Sequence, residues 1–364
     1  MRIKINKDDF LKAIQLVYGI ATTKTTLPIL SNILIETKNN KLFLTTTDLD
    51  ICISTTAAAN VIEQGSITLP AKKLYDIIKE LPNMEVDISV KKNNITIIEC
   101  PNTVFKIMGL PKEDFPKVPD FKTKNSISMP QQMLKAMLDM TSFAVSRDES
   151  RYVLNGVLIV VKDNNMKIVA TDGRRLALIE RELAQAKGVN IKTIIPTKAV
   201  MEIAKLLSDE GDVGITFEEN QVMFESGETR LITRVIEGDF PNYEQVIPKE
   251  TKEKIRLDKD KLMAALRRAN LLTNQDSQAI KMEVLKNRLV ISKATPELGE
   301  VKEELEAEHK KSDILIGFNP GYLIDVLKNL PTTDVSIELT SPEKPGVIRV
   351  GNEYVYVVLP MQLS

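Results

Sequence analysis

Apolar and polar side chains alternate at the start of the chain, where Ile3 and Ile5 are flanked by charged residues. A period of two predicts a short β-strand. Apolar residues then recur at helical spacing, as at Phe10 and Ile14, after two aspartates that suit a helix N-terminus. Alternating runs at residues 29–36, 41–46 and 51–57 predict three further strands. The order is therefore β-α-βββ.

The same order follows a second time in residues 66–108. A strand at 66–69 leads to Pro70, which is well placed to begin a helix because its fixed φ suits the first turn. The apolar stripe of Leu74, Ile77, Ile78 and Leu81 supports that helix. Three strands are predicted after it, at residues 85–90, 95–99 and 104–108.

A longer repeat then becomes visible. Ile127 and Leu134 lie 124 positions after Ile3 and Phe10 (127−3, 134−10), and a third copy begins at Ile255. The repeat predicts three domains, at residues 1–124, 125–252 and 253–364. Copies of about 120 residues are long enough to bury their own cores. We therefore expect an α+β fold of three repeated domains, each a doubled β-α-βββ unit, with helices on one face of antiparallel sheets.

One hairpin tip is central to the second copy. Thr171-Asp172-Gly173 separates two alternating runs, and Asp-Gly is a strong turn dipeptide. Thr47-Asp48 occupies the equivalent place in the first copy, and Thr295 in the third. Because the aspartates recur in equivalent turns, turn formation explains them better than acid–base chemistry. A plain polar hairpin tip is the alternative to a functional one.

Composition narrows the possible functions. Lys and Arg number 49 and Asp and Glu number 50, which argues against a uniformly basic nucleic-acid surface but is compatible with a basic face balanced by an acidic one. Cys52 and Cys100 lack metal-ligand spacing, and His309 lies in a charged stretch that we expect to be solvated. There is no secretory h-region at the start, and the apolar runs are strand-length. We expect a cytoplasmic protein.

Basic residues concentrate on the predicted helices, whereas acidic residues crowd elsewhere, as at 300–308. Similar domains joined by short linkers can form an arc, and two arcs related by a two-fold axis can close a ring. A ring lined by such helices would hold duplex DNA through its phosphates without reading sequence. For any single lysine, an ordinary solvated helix face is the alternative. The helix residues concerned are Lys12, Lys72, Lys73, Lys79, Lys135, Lys198, Lys205, Lys259, Lys261, Arg267, Arg268 and Lys328.

Collinear segments along the whole chain resemble the bacterial DNA polymerase III beta subunit family, the sliding clamps. They are residues 26–32 (TLPILSN), 151–156 (RYVLNG), 170–177 (ATDGRRLA), 239–243 (DFPNY), 317–320 (GFNP) and 356–363 (YVVLPMQL). The resemblance implies a head-to-tail homodimeric ring with helices inside and sheets outside. It implies no catalysis, no cofactor and no metal.

The resemblance also implies partners. The ring would encircle duplex DNA and tether the polymerase alpha subunit, after opening by a clamp loader that includes a delta subunit. Other DNA polymerases, ligase and mismatch repair proteins would bind through a short linear motif, and no membrane is involved. The peptide cleft carried over by the resemblance comprises Leu154, Thr171, Gly173, Arg174, Arg175, Leu176, Pro241, Val246, Asn319, Tyr322, Val357, Leu359, Pro360 and Met361.

Some positions depart from the family pattern: Arg174 stands where many members carry His, Leu359 where many carry Met, and Val153 where some carry Tyr. For Leu154, Val246 and Val357 an ordinary core role is the alternative. The resemblance assigns DNA contacts to Lys24, Lys72, Arg147, Arg151, Tyr152 and Lys198. It assigns the dimer contact to Phe105, Ile107, Leu271, Leu272, Glu300, Glu303 and Glu304, with Lys106 as an ion-pair partner.

Two rival functions can be set beside the clamp. An enzyme is disfavoured because the glycines form neither a P-loop nor a dinucleotide fingerprint, and because His309 is the single histidine. A scaffold or peptide-binding protein of the same triplicated fold, without DNA, is the better rival. Retention on circular but not linear DNA would separate the two.

Overall fold

The computed structural model describes residues 1–21, 26–121, 125–184, 186, 188–275, 277–296, 298–309 and 313–363. Lys24, one of the expected DNA contacts, lies outside the described residues. The chain divides into two compact units, residues Met1–Gln132 with Met201–Val235, and residues Met133–Val200 with Ile236–Ser364.

The first copy has the expected order of elements. They are β1 (Arg2–Asn6), α1 (Lys7–Tyr18), β2 (Asn32–Lys38), β3 (Lys41–Thr47), β4 (Ile51–Ala58), β5 (Asn60–Glu63), β6 (Ser66–Pro70), α2 (Ala71–Glu80), β7 (Glu85–Val90), β8 (Ile95–Cys100) and β9 (Thr103–Met108). Two details differ from the prediction. Residues Pro28–Ser31 form a 3-10 turn, since proline begins it, so β2 starts later. The short strand β5 was not predicted.

The second copy repeats the order. Its elements are β10 (Ser126–Pro130), α3 (Gln131–Asp139), β11 (Gly156–Lys162), β12 (Asn165–Thr171), β13 (Arg175–Glu182), β14 (Ile191–Pro196), α4 (Thr197–Leu206), β15 (Asp212–Phe217), β16 (Gln221–Ser226) and β17 (Thr229–Arg234). Short 3-10 segments at Ser142–Ala144, Glu149–Leu154 and Tyr243–Val246 carry several residues of the expected cleft and DNA surface.

The third copy completes the repeat. Its elements are β18 (Glu253–Asp258), α5 (Lys259–Asn270), β19 (Ile280–Leu285), β20 (Arg288–Thr295), β21 (Gly299–Glu306), β22 (Ile314–Phe318), α6 (Pro320–Asn329), β23 (Asp334–Leu339), β24 (Gly346–Val350) and β25 (Tyr354–Val358). The triplicated α+β prediction is confirmed.

Side-chain caps begin the helices where the sequence changes period. The Asn6 Oδ1 accepts a hydrogen bond from the Asp8 amide at 2.9 Å, and the Asp258 Oδ1 accepts one from the Lys261 amide at 2.8 Å. Such caps satisfy backbone amides that have no partner in the first helical turn. The apolar faces then become buried, as for Phe10 and Leu262, both 0% exposed. Within the first unit α1 packs on α2, and within the second α5 packs on α6.

Four sheets hold the described strands, and two of them combine strands from neighbouring copies. One eight-stranded sheet runs β10-β15-β16-β17-β4-β3-β2-β6, and the other runs β14-β11-β12-β13-β25-β24-β23-β18. The copies are therefore joined by the antiparallel pairs β4–β17 and β13–β25. A five-stranded sheet, β5-β1-β7-β8-β9, and a four-stranded sheet, β21-β20-β19-β22, complete the fold.

Candidate functional site

The hairpin tip between β12 and β13 is built by its own side chains. The Asp172 Oδ1 accepts hydrogen bonds from the amides of Arg174 and Arg175, at 2.9 and 3.0 Å. The Thr171 hydroxyl donates to the Arg175 carbonyl at 2.6 Å and accepts from the Gly173 amide at 3.1 Å. Gly173 has φ 85°, a conformation that glycine adopts without steric cost. The tip is thus held in shape by hydrogen bonds among its own residues.

The first copy forms the same tip. The Asp48 Oδ1 accepts from the Asp50 and Ile51 amides at 3.1 and 2.8 Å, and the Thr47 hydroxyl donates to the Ile51 carbonyl at 2.9 Å. The expectation that these aspartates form turns is therefore confirmed. Leu49, with φ 81°, occupies the position of Gly173.

Arg175 connects this tip to two other segments. Its Nε donates to the Asp172 Oδ2 at 3.0 Å, its Nη1 to the Asp325 Oδ2 at 2.7 Å, and its Nη2 to the Phe143 carbonyl at 2.8 Å. The guanidinium carbon lies 4.5 Å from the ring centroid of Tyr322, within cation–π range.

Burial by itself lowers the pKa of the Arg175 guanidinium, but the net direction is upward. Tyr356 and the two carboxylates of Asp325 and Asp172 favour the charged form. Of these, the carboxylates are the physically stronger cause, because a phenol is neutral at neutral pH. The Arg175 side chain is only 9% exposed. It is a permanently charged group held inside the protein.

Beside the tip lies an apolar cavity of about 150 Å³. An apolar cavity of roughly this volume can hold a benzene-sized group, which is the size of one apolar side chain. Its floor belongs to a buried cluster that includes Leu154, Leu176 and Val357, at 7%, 3% and 2% exposure. Val246 and Leu359 are 50% and 42% exposed, so they form its open rim. The lining residues are Leu154, Thr171, Gly173, Arg174, Arg175, Leu176, Pro241, Asn242, Tyr243, Val246, Val357 and Leu359.

Ten of the fourteen expected cleft residues line this cavity. Sequence reasoning missed Asn242 and Tyr243, although both directly follow Pro241 in a segment that carried the resemblance. For Leu154 and Val357 the core alternative is confirmed, because both are buried, and both also line the floor of the cavity. It does not hold for the half-exposed Val246.

The other four expected residues lie outside that cavity. Asn319 caps α6, with its Oδ1 accepting from the Gly321 amide at 2.9 Å, and Tyr322 follows in the first turn. Pro360 and Met361 line a second cavity of about 590 Å³. The Met361 amide donates to the Gly317 carbonyl at 2.9 Å, which seats the C-terminal segment along β22.

The described residues expected to contact DNA are all exposed. Lys72 and Lys198 each occupy the second position of a helix, α2 and α4, which are equivalent in the first two copies. Arg147, Arg151 and Tyr152 lie together in the exposed stretch 147–152, where Tyr152 is 59% exposed. The Arg151 Nη1 also donates to the Asp172 carbonyl at 3.3 Å, so this stretch adjoins the hairpin tip.

The residues expected at a dimer contact lie on two sheet edges and one helix end. Leu271 is 79% exposed just after α5, and Leu272 is half-buried beside it. On β9, Ile107 is buried and Phe105 half-buried, while the exposed apolar side chains are Val104 and Met108. On β21, Glu303 pairs with Arg268 at 2.6 Å and Glu304 with Arg288 at 3.2 Å, whereas Glu300 is exposed.

One expectation was wrong. His309 is not solvated but 2% exposed, and its Nε2 lies 3.9 Å from the Glu253 Oε2. The charged residues around it in sequence obscured this, because alternate residues of an edge segment face opposite sides. Among the described residues, no group of three or more His, Cys, Asp or Glu is arranged to hold a metal ion. Nor is any helix of the described part long and apolar enough to cross a membrane.

Comparison with known proteins gives matches along the whole chain. Three family models of the DNA polymerase III beta subunit match consecutively: the N-terminal domain over residues 1–119, the central domain over 128–242 and the C-terminal domain over 244–362. The chain belongs to the DNA polymerase III beta subunit family. It is therefore a DNA sliding clamp of DNA replication, a non-catalytic processivity factor and not an enzyme.

Individual relatives agree in sequence and in fold. The beta sliding clamp of Chlamydia pneumoniae is 34% identical over 363 residues, covering 100% of this chain and 99% of the relative. The solved sliding clamp of Bacillus subtilis has a TM-score of 0.96 at 29% identity, with 100% of both chains covered. A Pseudomonas aeruginosa clamp solved bound to griselimycin has a TM-score of 0.95 at 33% identity, again with full coverage of both chains.

Proposed function

We propose that two copies of this chain close a head-to-tail ring around duplex DNA and hold the replicative polymerase on it. The domains of the ring are residues 1–124, 125–252 and 253–364, and they work in the cytoplasm at replication forks. The observation that carries the proposal is the recurring way in which neighbouring copies join through paired strands. The pairs β4–β17 and β13–β25 are successive instances of one join.

The repeat offsets extend this join to a second chain. Strands β4, β13 and β21 begin 124 residues apart, and Met108 in β9, Thr233 in β17 and Val358 in β25 lie 125 residues apart. Among the described strands, β9 and β21 each have only one neighbour in their sheets. Unpaired edges are liabilities that proteins cover. Pairing β9 of one copy with β21 of another would cover both edges and repeat the join.

The register of that contact follows from the joins already formed. Ile51 pairs with Thr233, and Arg175 with Val358. Applying the same offsets places Met108 opposite Gly299 and Lys106 opposite Val301 in the second copy. The expected interface then includes Phe105 and Ile107 on one side and Glu300, Glu303 and Glu304 on the other. Leu271 and Leu272 would add apolar contact, because Leu271 is 79% exposed.

This register can be tested by crosslinking. In a Cys100→Ser background, Lys106→Cys with Val301→Cys should form covalent dimers under mild oxidation, because directly opposed residues have Cβ atoms close enough for a disulfide. Val104→Cys with Val301→Cys, two residues out of register, is the matched control. Equal crosslinking of both pairs, or of neither, would contradict the proposed join.

DNA contact in the ring would be electrostatic. Lys72 and Lys198 stand at equivalent places on helices of two copies, and Arg147, Arg151 and Tyr152 form an exposed group. Lys24 belongs to the same proposed set. Contacts of this type neutralise phosphates and weaken as salt rises, without dependence on base sequence.

The apolar cavity beside Thr171 would receive a short linear peptide from each partner. The lining gives an adaptable apolar floor with backbone groups and one exposed cation, Arg174, at its rim. Partners of this kind are the polymerase alpha subunit, the clamp loader with its delta subunit, other DNA polymerases, ligase and mismatch repair proteins. Asn319, Tyr322, Pro360 and Met361 would contact the part of the peptide that extends beyond the cavity.

The decisive experiment separates encirclement from ordinary DNA binding. The protein is loaded with the clamp loader and ATP on nicked circular DNA, and half of the sample is then linearised. Retention on the circle with loss from the linear form is expected, because a ring slides off free ends. Equal retention on both forms would refute encirclement. Absence from both forms, with peptide binding intact, would favour the scaffold without DNA.

A further inference from the structure

We propose that Arg175 is a positioning residue that fixes the spacing between the two halves of the peptide cleft, and that it is not itself a peptide-reading residue. The inference rests on the proposed function for the peptide, but its structural part does not. One half of the cleft is the hairpin tip at Thr171 and Gly173. The other half is the start of α6, at Asn319 and Tyr322.

The contacts of Arg175 join these halves directly. Its guanidinium bonds Asp172 in the tip, Asp325 in α6 and the carbonyl of Phe143, and it lies over the ring of Tyr322. Asp172 and Phe143 fall in the segment matched to the central domain, whereas Asp325 and Tyr322 fall in that matched to the C-terminal domain. A planar donor fork of this kind fixes geometry as well as charge.

Little of Arg175 remains for a ligand. Its side chain is 9% exposed, and two carboxylates balance its charge. Its neighbour Arg174 differs, because Arg174 is exposed and forms no ion pair within the part of the chain that the structure describes. The two adjacent arginines therefore have different roles. Arg174 lies exposed at the opening of the cleft, whereas Arg175 fixes the spacing between its two halves.

The first copy shows that the hairpin tip does not require this arginine. Ile51, which lies 124 positions before Arg175, is 2% exposed, yet the tip around Asp48 has the same Thr and Asp hydrogen bonds. The backbone bond to the neighbouring strand is also shared, since the Arg234 amide donates to the Asp50 carbonyl as the Leu359 amide does to the Arg174 carbonyl. Arg175 thus serves the junction that carries the cleft.

The test compares Arg175→Gln and Asp325→Asn with Arg181→Gln. Arg181 is a matched control because it lies on the same strand, β13, and pairs with a single carboxylate, Glu353. Two fluorescein-labelled peptides from the clamp-binding segment of the same organism's polymerase alpha subunit are used. One is full-length, and one is shortened to the apolar residues that fill the cavity.

Arg175→Gln should weaken the full-length peptide about tenfold, the scale of coupling between contacting groups, and the short peptide by less than about threefold. Asp325→Asn should likewise weaken the full-length peptide more than the short one. Arg175→Lys should lose less affinity than Arg175→Gln, and Arg181→Gln should leave the affinity for both peptides unchanged. Equal losses for both peptides would overturn the positioning role in favour of direct contact. Unchanged affinity in folded Arg175→Gln would overturn it outright.

Amide hydrogen exchange provides a readout that needs no peptide. Exchange should accelerate at residues 172–175 and 357–361 in Arg175→Gln and Asp325→Asn, with protection elsewhere retained, because the Leu359 amide depends on the Arg174 carbonyl at 2.9 Å. Unaltered exchange there would contradict the inference. Should Arg175→Gln fail to fold, Asp325→Asn decides, since it leaves the Asp172 contact intact. Failure of wild-type protein to bind either peptide would instead refute the proposed cleft.

Discussion

The rim of the apolar cavity gives a quantitative prediction for peptide binding. Leu359 is 42% exposed, so a peptide can cover at most that share of its side chain. Leu359→Ala removes three carbon atoms, worth about 2.4 kcal/mol if fully buried at about 0.8 kcal/mol per CH₂. The exposed share corresponds to about 1 kcal/mol, and we therefore expect the Kd to rise about fivefold.

Val246 supplies an independent increment. It is 50% exposed, and Val246→Ala removes two carbon atoms, so the same reasoning gives about 0.8 kcal/mol and about a fourfold rise in Kd. If the two side chains act separately, the double variant should bind about twentyfold more weakly. Neither substitution should cost much folding stability, because both side chains are partly solvated already.

The assay is fluorescence anisotropy of a labelled polymerase-derived peptide, with thermal unfolding of every variant alongside. Leu16→Ala is the matched control, because Leu16 is 39% exposed on α1 and does not line the cavity. Folded Leu359→Ala and Val246→Ala proteins with wild-type peptide affinity would refute the assignment of this cavity. A comparable loss in Leu16→Ala would show that the effect is not local.

Three further predictions concern the dimer, the thiols and acid. For the proposed dimer, Leu271→Ala with Leu272→Ala should move the light-scattering mass from twice 40.8 kDa toward 40.8 kDa on dilution, and an unchanged dimer would remove these residues from the interface. Burial, and secondarily the charge of Asp48, raises the pKa of the Cys52 thiol to about 12. Iodoacetamide at pH 8 should therefore modify the native protein at Cys100 only, and the unfolded protein at both cysteines. Labelling of Cys52 in the native protein would contradict its burial. Hydrogen bonds from Thr56 and Lys41 lower the pKa of Glu228, so the small stabilisation from its charged carboxylate is present above the ordinary pKa of 4.5 and is lost as pH falls below that value. The difference in Tm between wild type and Glu228→Gln should therefore shrink from pH 7 to pH 4. A constant difference in Tm would exclude the carboxylate charge as the cause.

Much of the fold follows from local pattern. Alternating and helical periods predicted the two β-α-βββ halves of the first copy. The offset of 124 residues then predicted the equivalent elements in the second and third copies. The tip at Asp172 was also predictable, since its hydrogen bonds span at most four residues. Turns of this type can be predicted because the residues that form their hydrogen bonds are close together in the sequence.

Contacts between distant residues could not be found in this way. Arg175 and Asp325 are 150 residues apart, and no periodicity indicates that one neutralises the other. His309 shows the same limit, because its Nε2 lies 3.9 Å from the Oε2 of Glu253, a residue far from it in sequence. The resemblance named Arg175 as a cleft residue but not as a link between segments. Such roles emerge only when packing brings the segments together.

The repeat also shows which side chains distinguish the tip beside the apolar cavity from the equivalent tip in the first copy. Both tips have the same hydrogen bonds, but the position with positive φ is Gly173 in one and Leu49 in the other. A non-glycine residue there costs roughly 1–2 kcal/mol, and Leu49 remains 49% exposed. The neighbouring strand differs too. The amide that donates to the carbonyl of the tip belongs to the apolar Leu359 in one case and to the charged Arg234 in the other. Gly173 adds no side chain beside the apolar strand end at Leu359, whereas the first copy places Leu49 and the charged Arg234 at the equivalent positions. The cleft is thus a property of a few side chains placed on a backbone that the chain uses more than once.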